Sequence, residues 1–400
     1  MSFSSSSSLA PLLRLLGWFQ ISHMSAGLIA VLVGYTSSAA IVFQAAQAAG
    51  ASTAELGSWM WALGIGLGCL SCGLSLRYKI PILTAWSTPG AALLATGLAG
   101  LPMSQAIGIF LFSSLLTTLC GLTGSFQKLM HYMPRSIAAA MLGGILLRFG
   151  LDLFGAMQTQ WLMCVAMFAV FLLARQWFAR YAVPLALLCG IGIAALQGLL
   201  NVQALSWTPA TPVLTWPQFS WTALLGVGIP FFIVTMSSQN VPGVAVLKAH
   251  NYEAPNSVII SWTGIVGLIL GPFGGYAYNL AAISAALCMT PEADPDPRQR
   301  YRASVWAGLF YLAAGIFGAT VVSLFAAFPT ELIAAIAGLA LLGTIGNSIH
   351  MALESPDTRD AALVTFLTTA SGMSLLNIGS AFWGLVFGLA IYLIQKRKTS

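Results

Sequence analysis

The chain holds 400 residues, 58% of them hydrophobic and 6% charged, with sixteen Lys and Arg against ten Asp and Glu. A soluble domain carries about 25% charged residues, so a solvated globular surface is excluded. Catalytic triads, metal-ligand spacings and phosphate loops do not occur in the sequence, so we expect no enzyme activity, cofactor, metal or nucleic-acid partner.

Met1 to Ser8 form a serine-rich tail whose lack of positive charge speaks against a cleaved signal. Segment 9–22 is too short to cross a bilayer and mildly amphipathic, which predicts an interfacial helix within an N-terminal region of residues 1–23. A crossing needs about 20 apolar residues for a hydrocarbon core of about 30 Å. The first half, 24–199, holds seven: 24–46, 54–74, 80–97, 104–127, 135–154, 159–178 and 182–199. Loop 200–219 follows, carrying Trp207 and Trp216 with Trp221 just beyond, as an interfacial aromatic belt would. The second half, 220–395, repeats the count with 220–247, 256–272, 275–290, 302–324, 330–351, 360–376 and 379–395, before a tail of residues 396–400. A twelve-span reading that merges or drops the short segments is the rival. Cys69 and Cys72 have CxxC spacing but no nearby His or charge, so they read as small packing residues.

Charge decides the threading. With the N-terminus cytoplasmic, fourteen crossings put every Lys and Arg except Arg148 on the cytoplasmic side. Such a bias orients a chain in the membrane. Dropping 275–290 would send every later basic cluster to the other face. Both termini are therefore expected inside, and the run from Glu292 to Arg300 is expected to be a solvated cytoplasmic loop.

Seven crossings per half make the second half enter from the opposite side. Internal similarity agrees: at an offset of 195 Pro134 meets Pro329 and Gly143 meets Gly338, and at 200 Tyr35–Ser38 meets Thr235–Ser238. We therefore expect an all-α polytopic membrane protein of 14 transmembrane spans in 7+7 inverted repeats. The third crossing of each half is short and interrupted by Gly and Pro. Unpaired backbone groups cannot face lipid, so such breaks line a cavity. Matching breaks in two repeats point to a binding site near the midplane, where a half-helix start offers N–H groups and a positive dipole end to an anion.

Gly34-Tyr35-Thr36-Ser37-Ser38-Ala39-Ala40 and Ala85-Trp86-Ser87-Thr88-Pro89-Gly90-Ala91-Ala92 resemble the benzoate:proton symporter (BenE-type) family. The likeness runs on through Pro134 to Phe149 and covers essentially the whole chain. That family is related to the nucleobase transporters and the sulfate/anion carriers. The resemblance implies a core domain of spans 1–4 and 8–11 and a gate domain of spans 5–7 and 12–14. It also implies short extended strands opening spans 3 and 10, an inner-membrane location and a homodimer formed through gate domains. The implied activity is import of benzoate, or a similar aromatic carboxylate, with protons by alternating access. Another small organic anion as substrate, or an uncoupled anion channel, are the alternatives.

Candidate substrate ligands are Ser87, Thr88 and the Gly90 N–H from span three, and Tyr276, Tyr278 and Asn279 from span ten. The adjacent amides Gln239 and Asn240, costly in lipid unless paired, join them from span eight, with Ser37 from span one. The competing reading for each hydroxyl is a bond back to its own helix. Related nucleobase carriers place acidic residues on spans eight and ten; the matching positions here are Gln239 and Tyr278, both neutral, which favours an anionic substrate. Tyr35 and Phe232, with Trp86, Phe231 and Phe273, offer walls for a ring. Asp152 and Glu331 are the candidates for proton coupling, although Asp152 stands four residues after Arg148 and is expected to pair with it.

Overall fold

The computed structural model describes residues 18–126 and 134–399. Most of the predicted interfacial segment, with Arg14 and Lys128, lies outside those residues. Among the described residues seven helices are long and apolar enough to cross a membrane, or eight if one bent pair counts once.

The first half begins with α1 (Ile21–Ala48) and α2 (Thr53–Tyr78). Ser52 starts α2 with a reciprocal cap: its hydroxyl accepts from the Glu55 N–H while the Glu55 carboxylate accepts from the Ser52 N–H. Segment 80–97 then splits. Strand β1 (Thr84–Trp86) occupies its middle, flanked by Pro81 and Pro89, and helix α3 (Thr88–Gly97) completes it. Pro89 fits the first turn of α3, where its missing N–H costs nothing. Helices α4 (Met103–Leu122), α5 (Arg135–Thr159), α6 (Trp161–Trp177) and α7 (Ala182–Leu196) follow.

The second half opens on α8 (Trp221–Ala249). Two π-turns interrupt it, Leu224–Gly228 and Met236–Asn240. Each precedes a proline, Pro230 or Pro242. A proline inside a helix clashes with the carbonyl four residues back, and the wider π-turn relieves that clash. Helix α9 (Asn256–Leu270) leads through a Gly-Pro-Phe-Gly-Gly stretch into strand β2 (Tyr278–Leu280) and the five-residue helix α10 (Ile283–Leu287). Gly274 has φ +91°, and a Cβ there would lie 1.8 Å from Trp59 Cδ1, so only glycine fits this turn. Helices α11 (Tyr301–Ile316) and α12 (Gly318–Ala326) meet at 68°. The chain ends with α13 (Thr330–Leu353), α14 (Arg359–Ala370), the hairpin β3 (Ser374–Leu375) and β4 (Ile378–Gly379), and α15 (Ser380–Thr399).

The strands β1 and β2 join the two halves. They pair antiparallel with Thr84 opposite Leu280, Ala85 opposite Asn279 and Trp86 opposite Tyr278. Around them α2 lies along α11, α4 along α9 and α5 along α13, while α6 neighbours α7 and α14 neighbours α15. Two of these crossings rest on glycine: a Cβ on Gly64 would stand 2.4 Å from Gly315 Cα, and one on Gly264 would stand 2.5 Å from the Thr118 nitrogen. Small residues let helix backbones approach this closely.

The bundle has two distinct ends. At one, loop 200–219 ties helix ends together: Val213 N–H donates to Ser58 Oγ, Thr215 N–H to Pro272 O, Gln218 N–H to Ser104 O and Asn201 N–H to Ala327 O. At the other, Trp306 Nε1–H donates to Trp18 O and Tyr252 Oη–H to Pro297 O, while Lys79 stands over the Tyr301 ring.

Two sequence expectations need correction. The run from Glu292 to Arg300 is not a wholly solvated loop, because Asp294 and Arg300 are buried. Arg300 donates to the Asp294 and Met289 carbonyls at 2.7 Å, and His23 meets Asp294 across 2.7 Å. These internal partners replace water. Arg148 and Asp152 are both exposed on α5 and form no ion pair. For two flexible surface side chains the conformational entropy lost on pairing offsets the attraction.

Candidate functional site

The strand pair brings elements of both halves to one place. On β1, Trp86 donates its indole N–H to Ser38 Oγ of α1 at 2.8 Å, and Ser38 in turn donates to the Gly34 carbonyl at 2.7 Å. The Tyr35 ring stands edge-on to Trp86 with centroids 4.9 Å apart, and Tyr311 of α11 lies 6.1 Å from Tyr35. The Tyr35 hydroxyl is buried with no hydrogen-bond partner among the described residues. Sequence reasoning did not reach Tyr311, because nothing local marks it.

Where β1 becomes α3, Ser87 caps the helix by accepting from the Gly90 N–H at 2.9 Å, and the Ala91 N–H reaches the Ser87 carbonyl at 2.8 Å. The Gly90 N–H expected to meet the substrate is thus already engaged, with Ser87 Oγ as its acceptor. Thr88 is half-buried, and no hydrogen bond from another described residue reaches its hydroxyl. Gly90 also lets α3 approach α8, since a Cβ there would meet Phe231 at 2.8 Å and Thr235 at 2.9 Å.

The second π-turn of α8 supplies the amides. Asn240 is fully buried; its Nδ2 donates to Asn279 Oδ1, and its Oδ1 accepts from the Leu280 N–H, both at 3.0 Å. Asn240 therefore pins α8 to β2. Gln239, one residue earlier and half-buried, makes no hydrogen bond to a described residue. A π-turn advances side chains differently from an α-turn, so these neighbours face different surroundings. Ser37, like Ser38, bonds back to Gly34.

From β2, Tyr278 turns toward α2 and donates to the Ala62 carbonyl at 2.7 Å, with its ring where a Gly66 side chain would be. Tyr276 lies in an aromatic cluster with Trp59, Phe110 and Phe231, its hydroxyl buried with no partner among the described residues. Phe232 is buried on α8, one residue after Phe231, and Phe273 packs against Trp61. Helix α10 spans five residues, too few for a developed dipole, so α3 is the substantial half-helix here. Asp152 and Glu331 stand apart from this cluster. Asp152 is exposed on α5, and Glu331 accepts from Thr159 and Thr330 where α13 begins.

The result is a neutral site: an α-helix N-terminus, the free Thr88 hydroxyl and Gln239 amide, and aromatic walls, with no carboxylate among these residues. A group with negative charge gains from the dipole end and from charge-assisted hydrogen bonds, and it meets no like charge.

Comparison with known proteins gives the family and the fold. The family profile described as "Benzoate membrane transport protein" matches residues 17–394. The chain is 39% identical to the "Benzoate membrane transport protein" of Acinetobacter baylyi over 383 residues, 96% of this chain and 97% of that one. It is 50% identical to "Inner membrane protein YdcO" of Escherichia coli over 369 residues, 92% and 94% of the two chains. Among solved structures, SLC26A9 superposes with a TM-score of 0.63 at 13% identity, covering 96% of this chain and 67% of that one. The transmembrane domain of the cyanobacterial bicarbonate transporter BicA gives 0.57 at 15% identity, covering 94% and 96%. These structures share the fold, and the sequence matches fix the lineage: the chain belongs to the BenE benzoate membrane transport protein family, and it is a multi-pass membrane transporter.

Proposed function

We propose that the protein imports benzoate or a close aromatic carboxylate across an inner membrane, together with protons, by alternating access. The observation that carries this reading is the charge-free cluster at the β1–β2 pair, where α3 begins beside unpaired Thr88 and Gln239 and the edge-on rings of Tyr35 and Trp86. The carboxylate sits at the start of α3, hydrogen-bonded by Thr88 and Gln239. The ring lies against Tyr35, Trp86 and Phe232. Ser87, Asn240, Tyr278 and Asn279 hold the backbone of the site in place, Asn240 and Asn279 through the bond they share.

Fourteen crossings with both termini cytoplasmic accommodate the end-to-end sorting of the bundle. Counting β1–α3, β2–α10 and α11–α12 as one segment each, the neighbours exchange when seven is added to their position. Segments 2 and 11 become 9 and 4, and segments 6 and 7 become 13 and 14. That exchange supports inverted repeats. It also supports a core built from α1–α4 and α8–α12 that rocks against a gate of α5–α7 and α13–α15.

A panel of aromatic acids tested for thermal stabilisation of the purified protein checks the substrate, since a ligand specific for the folded state raises its melting temperature. Benzoate should stabilise and a nucleobase should not. Thr88→Val and Gln239→Leu each remove one hydrogen bond to a charged group, about 1.5–3 kcal/mol, and should weaken benzoate binding roughly ten- to a hundredfold. Unchanged affinity in both variants would discard the site.

A further inference from the structure

We propose that the cavity around Arg148 is a separate anion-capture vestibule, through which a carboxylate substrate passes on its way to the central site. The inference rests on the function proposed above and adds to it a second binding position.

A cavity of about 370 Å³ opens between α3, α5, the start of α8 and the segment running from the end of α14 through the β3–β4 hairpin. Binding pockets for small molecules have volumes of about 300–1,000 Å³. Arg148 is the one charged residue in its lining, and no carboxylate joins it; Thr96, Ser371, Ser374 and Asn377 supply neutral polar groups. No described side chain pairs with the Arg148 guanidinium, and Asp152, one turn further along α5, leaves it free. An unpaired guanidinium offers a planar set of donors matched to a carboxylate.

Three further observations give the cavity a place in a pathway. Arg148 is the one basic residue that the charge-derived threading sends to the outer face, where positive charge is disfavoured. The cavity lies toward the bundle end that loop 200–219 covers: Leu101 lines it three residues before Ser104, whose carbonyl accepts from the Gln218 N–H, and Thr222 and Ala223 line it where α8 begins just after the loop. The α3–α8 contact that walls it at Gly97 and Val227 continues to Gly90 and Phe231 at the central site. Leu93 lines the cavity five residues beyond Thr88, about 7.5 Å along the helix axis.

Benzoate uptake into right-side-out and inside-out membrane vesicles, held above neutral pH, tests the vestibule. In right-side-out vesicles Arg148→Gln should raise the half-saturating benzoate concentration about tenfold at low ionic strength, as loss of electrostatic capture does. High salt should shrink that difference, because charges near water are screened within about 10 Å at 0.1 M. Arg148→Lys should recover most of the loss, maximal uptake should hold, and inside-out vesicles should respond as the parent does. An unchanged half-saturation in right-side-out vesicles, or an equal effect from both sides, would overturn the vestibule. So would a lowered melting temperature in Arg148→Gln and Arg148→Lys alike, the mark of a purely structural arginine. If Thr88→Val and Gln239→Leu impair uptake while Arg148→Gln does not, the central site stands and the vestibule alone is lost.

Discussion

Gln239 and Asn240 are sequence neighbours in opposite situations, and that contrast separates binding from scaffolding. Asn240 spends both ends of its amide on Asn279 and Leu280. Replacing it with leucine strands the buried Leu280 N–H, which costs about 1–3 kcal/mol. Asn240→Leu should therefore melt at a lower temperature than the parent without any ligand. Gln239→Leu breaks no internal bond, so it should melt with the parent in buffer and lose only the extra stabilisation that benzoate confers. Melting curves with and without benzoate read both quantities at once. If Gln239→Leu is the variant that melts early in buffer, the two roles are exchanged. The sequence placed a pair of costly amides here, but that Asn240 is the one paired with β2 and Gln239 the one left without a described partner follows from tertiary contacts alone.

At the level of elements, legibility follows the range of the forces. The breaks in 80–97 and 275–290 could be read because Pro81 and Pro89 restrict their own backbone, while Gly274 and Gly275 at the entry to the second segment allow conformations that other residues rarely adopt. The pairing of β1 with β2 could not, since Trp86 meets Tyr278 through tertiary folding alone. The bend between α11 and α12 was missed for a related reason: segment 302–324 is mostly apolar, and hydropathy reports length rather than direction. The clearest loss is His23 with Asp294. They lie 271 residues apart, and each looked unremarkable in its own surroundings. Together they fasten α1 to the segment after α10, with His23 fully buried. Removing one member of a buried pair leaves the other uncompensated, at about 3 kcal/mol. His23→Leu and Asp294→Leu should each destabilise by about that much, and the double variant should recover part of the loss. Strictly additive losses in a double-mutant cycle would mean that the two side chains do not act as a pair.

On the scale of the whole molecule, the proposed coupling to protons answers the requirement for a driving force. A carboxylate entering a cell with a negative interior works against the membrane potential, at about 2.3 kcal/mol per charge for each 100 mV. One accompanying proton cancels that charge, and a second turns the potential into a driving force. The cluster at the strand pair holds no carboxylate or histidine, so a side chain that carries the proton must lie elsewhere. Glu331, half-buried where α13 begins, accepts a hydrogen bond from Thr159 at the end of α5, both on helices of the proposed gate, and is the candidate to test. In sealed proteoliposomes loaded with a pH dye, saturable benzoate uptake should acidify the lumen, with Thr88→Val subtracting the diffusion of free benzoic acid. Glu331→Gln should keep the exchange of labelled for unlabelled benzoate while losing accumulation driven by a pH gradient, and Asp152→Asn serves as the parallel test on α5. If both variants still accumulate benzoate against its gradient, the proton travels on the substrate's own carboxyl group. If the lumen fails to acidify during saturable uptake, proton coupling itself is wrong.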